Sequence, residues 1–157
     1  MYQRDEVPDT IGAVAARQRR DEPSPLGEAL ARVGDRWTLL LVSALLDGPR
    51  RFNDLLEALP GIAPNILSQR LKHLEGERLL IARAYSVRPA RYAYELTAAG
   101  QGLAGALLLL ADWGARHSDV VDAPRHAVCG TAMEARWYCS TCEEPVDEDH
   151  GSELHAV

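Results

Sequence analysis

Apolar residues recur along this chain first with the period of a helix and then with that of a strand. Leu26, Leu30 and Val33 share one helical face, which Ser24 opens as N-cap with Pro25 at the first helical position, Gly27 at the third and Glu28 after it, and which Gly34 closes. Asp35 caps a second helix, Arg36 to Leu46, whose segment WTLLLVSALL is apolar nearly all round and so belongs at the centre of a core. Asp47-Gly48-Pro49 stops it. Phe52, Leu55, Leu56 and Leu59 stand at i, i+3, i+4 and i+7, a third helix of about two turns that starts with Arg50 and Arg51 and ends at Pro60-Gly61. Ile62-Ala63-Pro64 opens a fourth, with Pro64 at its first position, Leu67, Leu71 and Leu74 on its apolar face and Gly76 near its end.

The period then shortens to two. Residues 79–87 read as a strand, Arg88-Pro89-Ala90-Arg91 as a turn, and Tyr92 to Leu96 as the returning strand. Thr97 caps a long last helix from Ala98 to about His117. Ahead of all this, Thr10 is placed to cap a short helix through Gln18 and Arg19, with Ile11, Val14 and Ala15 on one face, which the run Asp21 to Pro25 breaks. There is no internal repeat. Two short helices joined by a tight turn at Leu59 to Ile62, followed by a two-stranded hairpin, is the order of a winged helix-turn-helix. The expected fold is therefore mainly α with a small antiparallel β-hairpin. Residues 1–23 form an arm, 24–118 the winged helix-turn-helix domain, and 119–157 a tail.

The length, 157 residues, suits one compact domain with such an appendage. The longest apolar run, Ala106 to Ala111, has six residues, far short of the roughly 18–20 needed to span a bilayer. The first ten residues are polar and acidic and do not read as a secretory signal, so the expected location is the cytoplasm. Three cysteines in a reducing compartment argue against a disulfide scaffold and leave metal or redox chemistry open.

A net charge of −6 looks wrong for a nucleic-acid binder, but it is unevenly placed. Residues 119–157 carry −7, residues 24–118 carry +2, and residues 50–91 hold eight basic and four acidic residues. An acidic tail masks a mildly basic middle; the asymmetry reads either as a solvated tail or as a basic binding face with an acidic appendage kept off it. Sixteen of the 17 basic residues are Arg, Lys72 being the exception, which reads first as a coding bias.

The segments GDRWTLLL, DGPRRFNDL, LPGIAPNILSQRLKHLE and RYAYELTAAG occur in that order within residues 25–100, about half the chain. Together they resemble the HxlR family of bacterial transcription regulators, relatives of the MarR group. The resemblance implies a dimeric winged helix that binds a pseudo-palindromic operator in double-stranded DNA. Two positions depart from the family. Where members often carry a cysteine before the first core helix, used by some as a thiol sensor, this chain has Ser24, so that switch is expected to be absent. The fourth helix commonly has Ser as its N-cap; here Ala63 stands there, which costs roughly 0.5–2 kcal/mol locally and removes a hydroxyl from any phosphate contact.

At about 100° per residue, Leu71 and Leu74 fall within about 40° of Leu67 on the fourth helix. Asn65, Gln69 and Lys72 lie about 140–200° away, with Ser68 flanking them at about 100°. Amides suit adenine edges and Lys suits guanine or phosphate, so this face is the candidate base reader; taken alone it is equally a solvated face. Arg70, beside the apolar stripe, either reaches phosphate or pairs with an acid. Arg88 and Arg91 flank Pro89 at the hairpin tip, placed to enter a minor groove or clamp the backbone. Arg50 and Arg51 either meet flanking phosphates or form a solvated helix start. On the last helix Leu103, Leu107, Leu110 and Trp113 form an apolar stripe widened by Leu108 and Leu109. It serves either a homodimer interface with the N-terminal arm or packing within one chain.

The tail holds His126-x2-Cys129, nine residues, then Cys139-x2-Cys142. Two donor pairs of this spacing suit one tetrahedral Zn²⁺, structural, in a zinc-ribbon-like appendage. Gly130 after Cys129 fits a metal knuckle; Glu143 after Cys142 lacks the usual Gly. The alternatives are an oxidising Cys139/Cys142 pair and three inert cysteines, and His150 or His155 could replace His126. Three functions follow: a DNA-binding regulator with no known effector, a protein-interaction module or metal/redox sensor working through the Cys/His tail, and a redox enzyme. The last is weakest, because no thioredoxin-like βαβ pattern, nucleophile–base grouping or phosphate loop is present and the acidic surroundings of Cys139 and Cys142 do not lower a thiol pKa.

Overall fold

In the computed structural model of the chain, which describes residues 24–133 and 136–146, the helices begin where their caps dictate. Ser24 accepts a hydrogen bond from the Gly27 amide at 3.0 Å, and helix α1 runs Pro25–Val33. Asp35 Oδ1 accepts from the Trp37 and Thr38 amides at 2.9 and 3.0 Å, satisfying two of the donors a helix start leaves without partners, and α2 runs Arg36–Leu45. The arm, with the helix expected after Thr10, lies outside the described residues, as do His150 and His155.

Arg50 and Arg51 do not start the third helix. They form a short strand, β1 (Arg50–Arg51), and helix α3 is Phe52–Ala58. The pairing gives the extended backbone at Arg51 its ladder partners: Arg50 faces Tyr94 and Arg51 faces Ala93. The turn between α3 and the next helix contains Gly61 at φ 91°, a left-handed conformation that glycine adopts without strain. Helix α4, Pro64–Gly76, has Pro64 at its first position, and Ala63, as expected, gives it no side-chain cap.

The hairpin strands are β2, Leu80–Val87, and β3, Ala90–Leu96. The connection is tighter than the four-residue turn the sequence suggests: Val87 pairs with Ala90, so Ala90 and Arg91 belong to β3. A bulge between Ala84 and Ser86 absorbs the change of register. The sheet order is β1-β3-β2, antiparallel throughout.

The single long last helix is in fact two. Thr97 caps α5, Ala98–Gln101, and α6 runs Ala104–Arg116. Gly100 packs so closely on the Leu79 carbonyl that a Cβ there would stand 2.1 Å from the oxygen. The Leu103 amide bonds back only three residues, to Gly100, so the turn tightens where residues 102–103 separate the two helices.

Leu41, Leu45, Leu55, Leu67, Leu74 and Leu80 are fully buried and join α2, α3, α4 and β2 into one core. Leu103 and Leu107 pack against it. The outer part of the α6 stripe stays open, with Leu108, Leu110 and Trp113 exposed, and α1 buries only Val33. In the tail, β4 (Trp137–Cys139) and β5 (Glu144–Val146) form a two-stranded sheet, preceded by a bridge between Arg125 and Ala132. Among the described residues no helix is long and apolar enough to cross a membrane.

Candidate nucleic-acid interface

Helix α4 divides as its periodicity requires. Leu67, Leu71 and Leu74 are buried, while Asn65, Gln69 and Lys72 are exposed on the opposite side. Ser68 donates to the Pro64 carbonyl at 2.9 Å, which ties its hydroxyl proton to its own helix and leaves only the oxygen lone pairs for a ligand. The face thus offers two amides, an ammonium and a hydroxyl acceptor at the spacing of successive helical turns.

The arginines sort into structural and free. Arg70 Nη2 stands 3.0 Å from Asp35 Oδ2, tying α4 to the start of α2; of the two uses open to it, the ion pair is the one present. Its buried Nε has no hydrogen-bond partner among the described residues. Arg50 donates from Nε to the Ala44 carbonyl at 2.6 Å and from Nη2 to Asp47 at 3.2 Å, so it binds the C-terminal end of α2, where carbonyls lack helical partners. Arg51 lies with its guanidinium 4.6 Å from the centre of the Tyr85 ring. Arg88 and Arg91 are exposed at the hairpin tip and have no ion-pair partner among the described residues.

Tyr85, Tyr92 and Tyr94 are contributors the sequence reading placed only as strand residues. A groove of about 370 Å³ between α4 and the sheet is lined by Ser68, Lys72, Tyr92 and Tyr94, and one of about 490 Å³ beside α3 by Arg51, Asn53, Tyr85, Arg91 and Tyr92. Tyr92 therefore connects the polar face of α4 to the arginine-bearing wing. Burial, then Glu75, then Tyr92 push the Tyr94 hydroxyl above the ordinary tyrosine range. The alternation of tyrosines through the strands was the available signal, but only the sheet's position against α4 gives it meaning.

In the tail the donors come together in two pairs. His126 Nδ1 lies 3.2 Å from Cys129 Sγ, which is also 3.3 Å from Thr131 Oγ1. The Thr131 hydroxyl, its backbone amide and His126 bring the Cys129 thiol down to about 7. The backbone amides of Cys142 and Thr141 lower the Cys139 thiol, and the hydrogen bond it shares with Cys142 raises the latter. Against the expectation of four gathered ligands, no three His, Cys, Asp or Glu among the described residues stand together as a metal site. All three cysteines are free thiols.

Comparison with known proteins places the fold in a family. The HxlR-like helix-turn-helix family matches residues 32–122. An uncharacterised HTH-type transcriptional regulator of Mycobacterium tuberculosis, Rv3095, is 37% identical over 138 residues, covering 85% of this chain and 87% of the relative. Among solved structures, the redox regulator HypR in its reduced form is 30% identical with a TM-score of 0.58, covering 62% of this chain and 96% of that one. The Pseudomonas aeruginosa protein PA1374 is 31% identical with a TM-score of 0.61, covering 80% of this chain and 87% of that one. The chain belongs to the HxlR family of helix-turn-helix transcriptional regulators.

Proposed function

We propose that the chain binds a pseudo-palindromic operator as a homodimer, with α4 in the major groove and the hairpin tip on the adjacent backbone or minor groove. The observation that carries this is the face of α4: Asn65, Gln69 and Lys72 stand exposed opposite three buried leucines and beside a wing whose Arg88 and Arg91 are unpaired among the described residues. Arg70 and Arg50, held by Asp35, Ala44 and Asp47, set the pose of α4 and β1 on this reading and do not themselves supply the contacts. The exposed outer stripe of α6, with the N-terminal arm, supplies the dimer surface.

The test is selection of bound duplexes from a random-sequence library, followed by titration of the selected site against salt. An inverted repeat whose affinity falls linearly in logarithmic terms with salt supports the reading. Recovery of no duplex, or salt-independent retention, overturns it and favours a protein-interaction module.

A second reading makes the Cys/His tail a metal or redox sensor. It is favoured by the two thiol-bearing pairs of the tail and by the likeness to HypR, a redox regulator by name. Ser24, occupied as the cap of α1, removes the N-terminal thiol from consideration. On this reading, chelation or peroxide changes operator affinity; an unchanged affinity under both rejects it.

A further inference from the structure

The two hairpins of the tail share one backbone device. In the first, the Gly130 amide donates to the His126 carbonyl at 2.8 Å; in the second, the Glu143 amide donates to the Cys139 carbonyl at 2.8 Å. In both, the residue after the second donor is left-handed, Gly130 at φ 71° and Glu143 at φ 58°. The lack of glycine at 143 therefore does not spoil the second turn: Glu143 takes the same conformation at a steric cost that a side chain rarely accepts. Each turn ends with its two donors on the same side. Flanking amides point at the sulfur of Cys139, as they do in a knuckle built to hold a thiolate.

We propose that these turns are the two halves of one zinc site, with His126, Cys129, Cys139 and Cys142 as ligands. Zn–N and Zn–S bonds of about 2.0 and 2.3 Å give a tetrahedral edge of about 3.5 Å, close to the 3.2 Å that separates His126 Nδ1 from Cys129 Sγ. The two pairs stand apart here, and nine residues join Cys129 to Cys139, a link short enough to keep the turns adjacent and long enough to let them close on one ion. Binding releases to solvent whatever thiol protons remain and places three thiolates and one neutral imidazole on the metal, a net charge of −1 at the centre. The donor set is that of a closed structural site rather than an open catalytic one.

The closure has a place to register. Pro124 and Met133 at the base of the first hairpin and Trp137 at the base of the second line a groove of about 470 Å³ with Gly105, Leu108 and Leu109 of α6. The ion would fix both hairpins over that helix. This inference supplies the site that the sensor reading needs, and its failure leaves the DNA reading intact.

The experiment is zinc analysis of untagged full-length protein purified without added metal, with thiols counted before and after a mercurial reagent. The expected result is about one zinc per chain and three thiols that react only as zinc is released. Cys139→Ser, Cys142→Ser and His126→Ala should each lose at least tenfold in zinc retention against a chelator, while His150→Ala and His155→Ala keep it. Glu143→Gly, which relieves the left-handed side chain, should hold zinc about fivefold more tightly. Helical circular dichroism confirms that the winged domain still folds in every variant. Three freely reactive thiols that take up no zinc at stoichiometric addition would overturn the site, as would a Cys139–Cys142 disulfide that takes up none after reduction. Zinc retained by His126→Ala and lost by His150→Ala would overturn the ligand assignment. A protein that holds zinc and binds no duplex would reject the DNA reading alone.

Discussion

Asp35 uses its two oxygens for different purposes. Oδ1 caps α2 through two amides, and Oδ2 pairs with Arg70 of α4. Asp35→Ala removes both and should destabilise the domain by roughly 2–3 kcal/mol in urea denaturation, since the lost cap accounts for about 1 kcal/mol and the rest comes from a half-buried guanidinium left without its acid. Asp35→Ser keeps the cap, and because both side chains of the pair are about one-third exposed its loss should be smaller, about 1 kcal/mol. A Ser variant as stable as the parent would show the ion pair to be energetically silent. Gln69, exposed and outside the core, should behave differently. Gln69→Ala leaves stability alone and weakens one base position by ~1–3 kcal/mol, whereas Arg91→Ala weakens all sequences alike and lowers the salt slope by about one unit. Competition binding against single-base operator variants separates the two. Gln69→Ala with affinity and base preference unchanged would reject the docking.

Among elements, α4 was legible almost to the residue. Its leucine spacing, Pro64 at its start and Gly76 at its end are local signals, and local physics sets them. The break between α5 and α6 was not legible. Beside it, Gly100 lies close against the Leu79 carbonyl, a contact between residues far apart in sequence. Gly100→Ala should therefore lower the melting temperature by an amount equal to roughly 1–3 kcal/mol, because backbone must move to admit the methyl group. Gly76→Ala, where the added atom meets open space, should be neutral or stabilising by up to about 1 kcal/mol. Equal effects at the two positions would show that helix propensity, not the close approach, governs Gly100. Strand β1 escaped for another reason: two residues carry no periodicity, and Arg50 and Arg51 become a strand only because the edge of β3 is there to pair with.

For the whole molecule, the open question raised by the fold is what covers α6. Leu103 and Leu107 meet the core, but Leu110 and Trp113 are more than half exposed, Trp113 stacking on His117 at 4.4 Å. On the proposed dimer, Trp113→Asp should shift the chain to monomer in sedimentation equilibrium and weaken operator binding at least tenfold, because a two-fold site would need both copies of α4. A variant that remains dimeric would place the interface elsewhere. The charge asymmetry also belongs to this scale: the acidic tail and the basic 50–91 stretch are properties of segments, and the fold puts the tail hairpins beside α6 while the free arginines sit at the wing.

Sequence alone determined the caps, the amphipathic faces and the order of the main helices and the hairpin strands, and with them the winged helix-turn-helix and the polar face of α4. These rest on interactions within a few residues, which periodicity and capping chemistry report directly. Tertiary structure decided which arginines are free, where the last helix meets the sheet, and that Tyr92 links wing to α4. Each of those depends on a partner brought close by the fold, such as Asp35 for Arg70, Ala44 for Arg50 and Leu79 for Gly100, and no local pattern encodes such a partner.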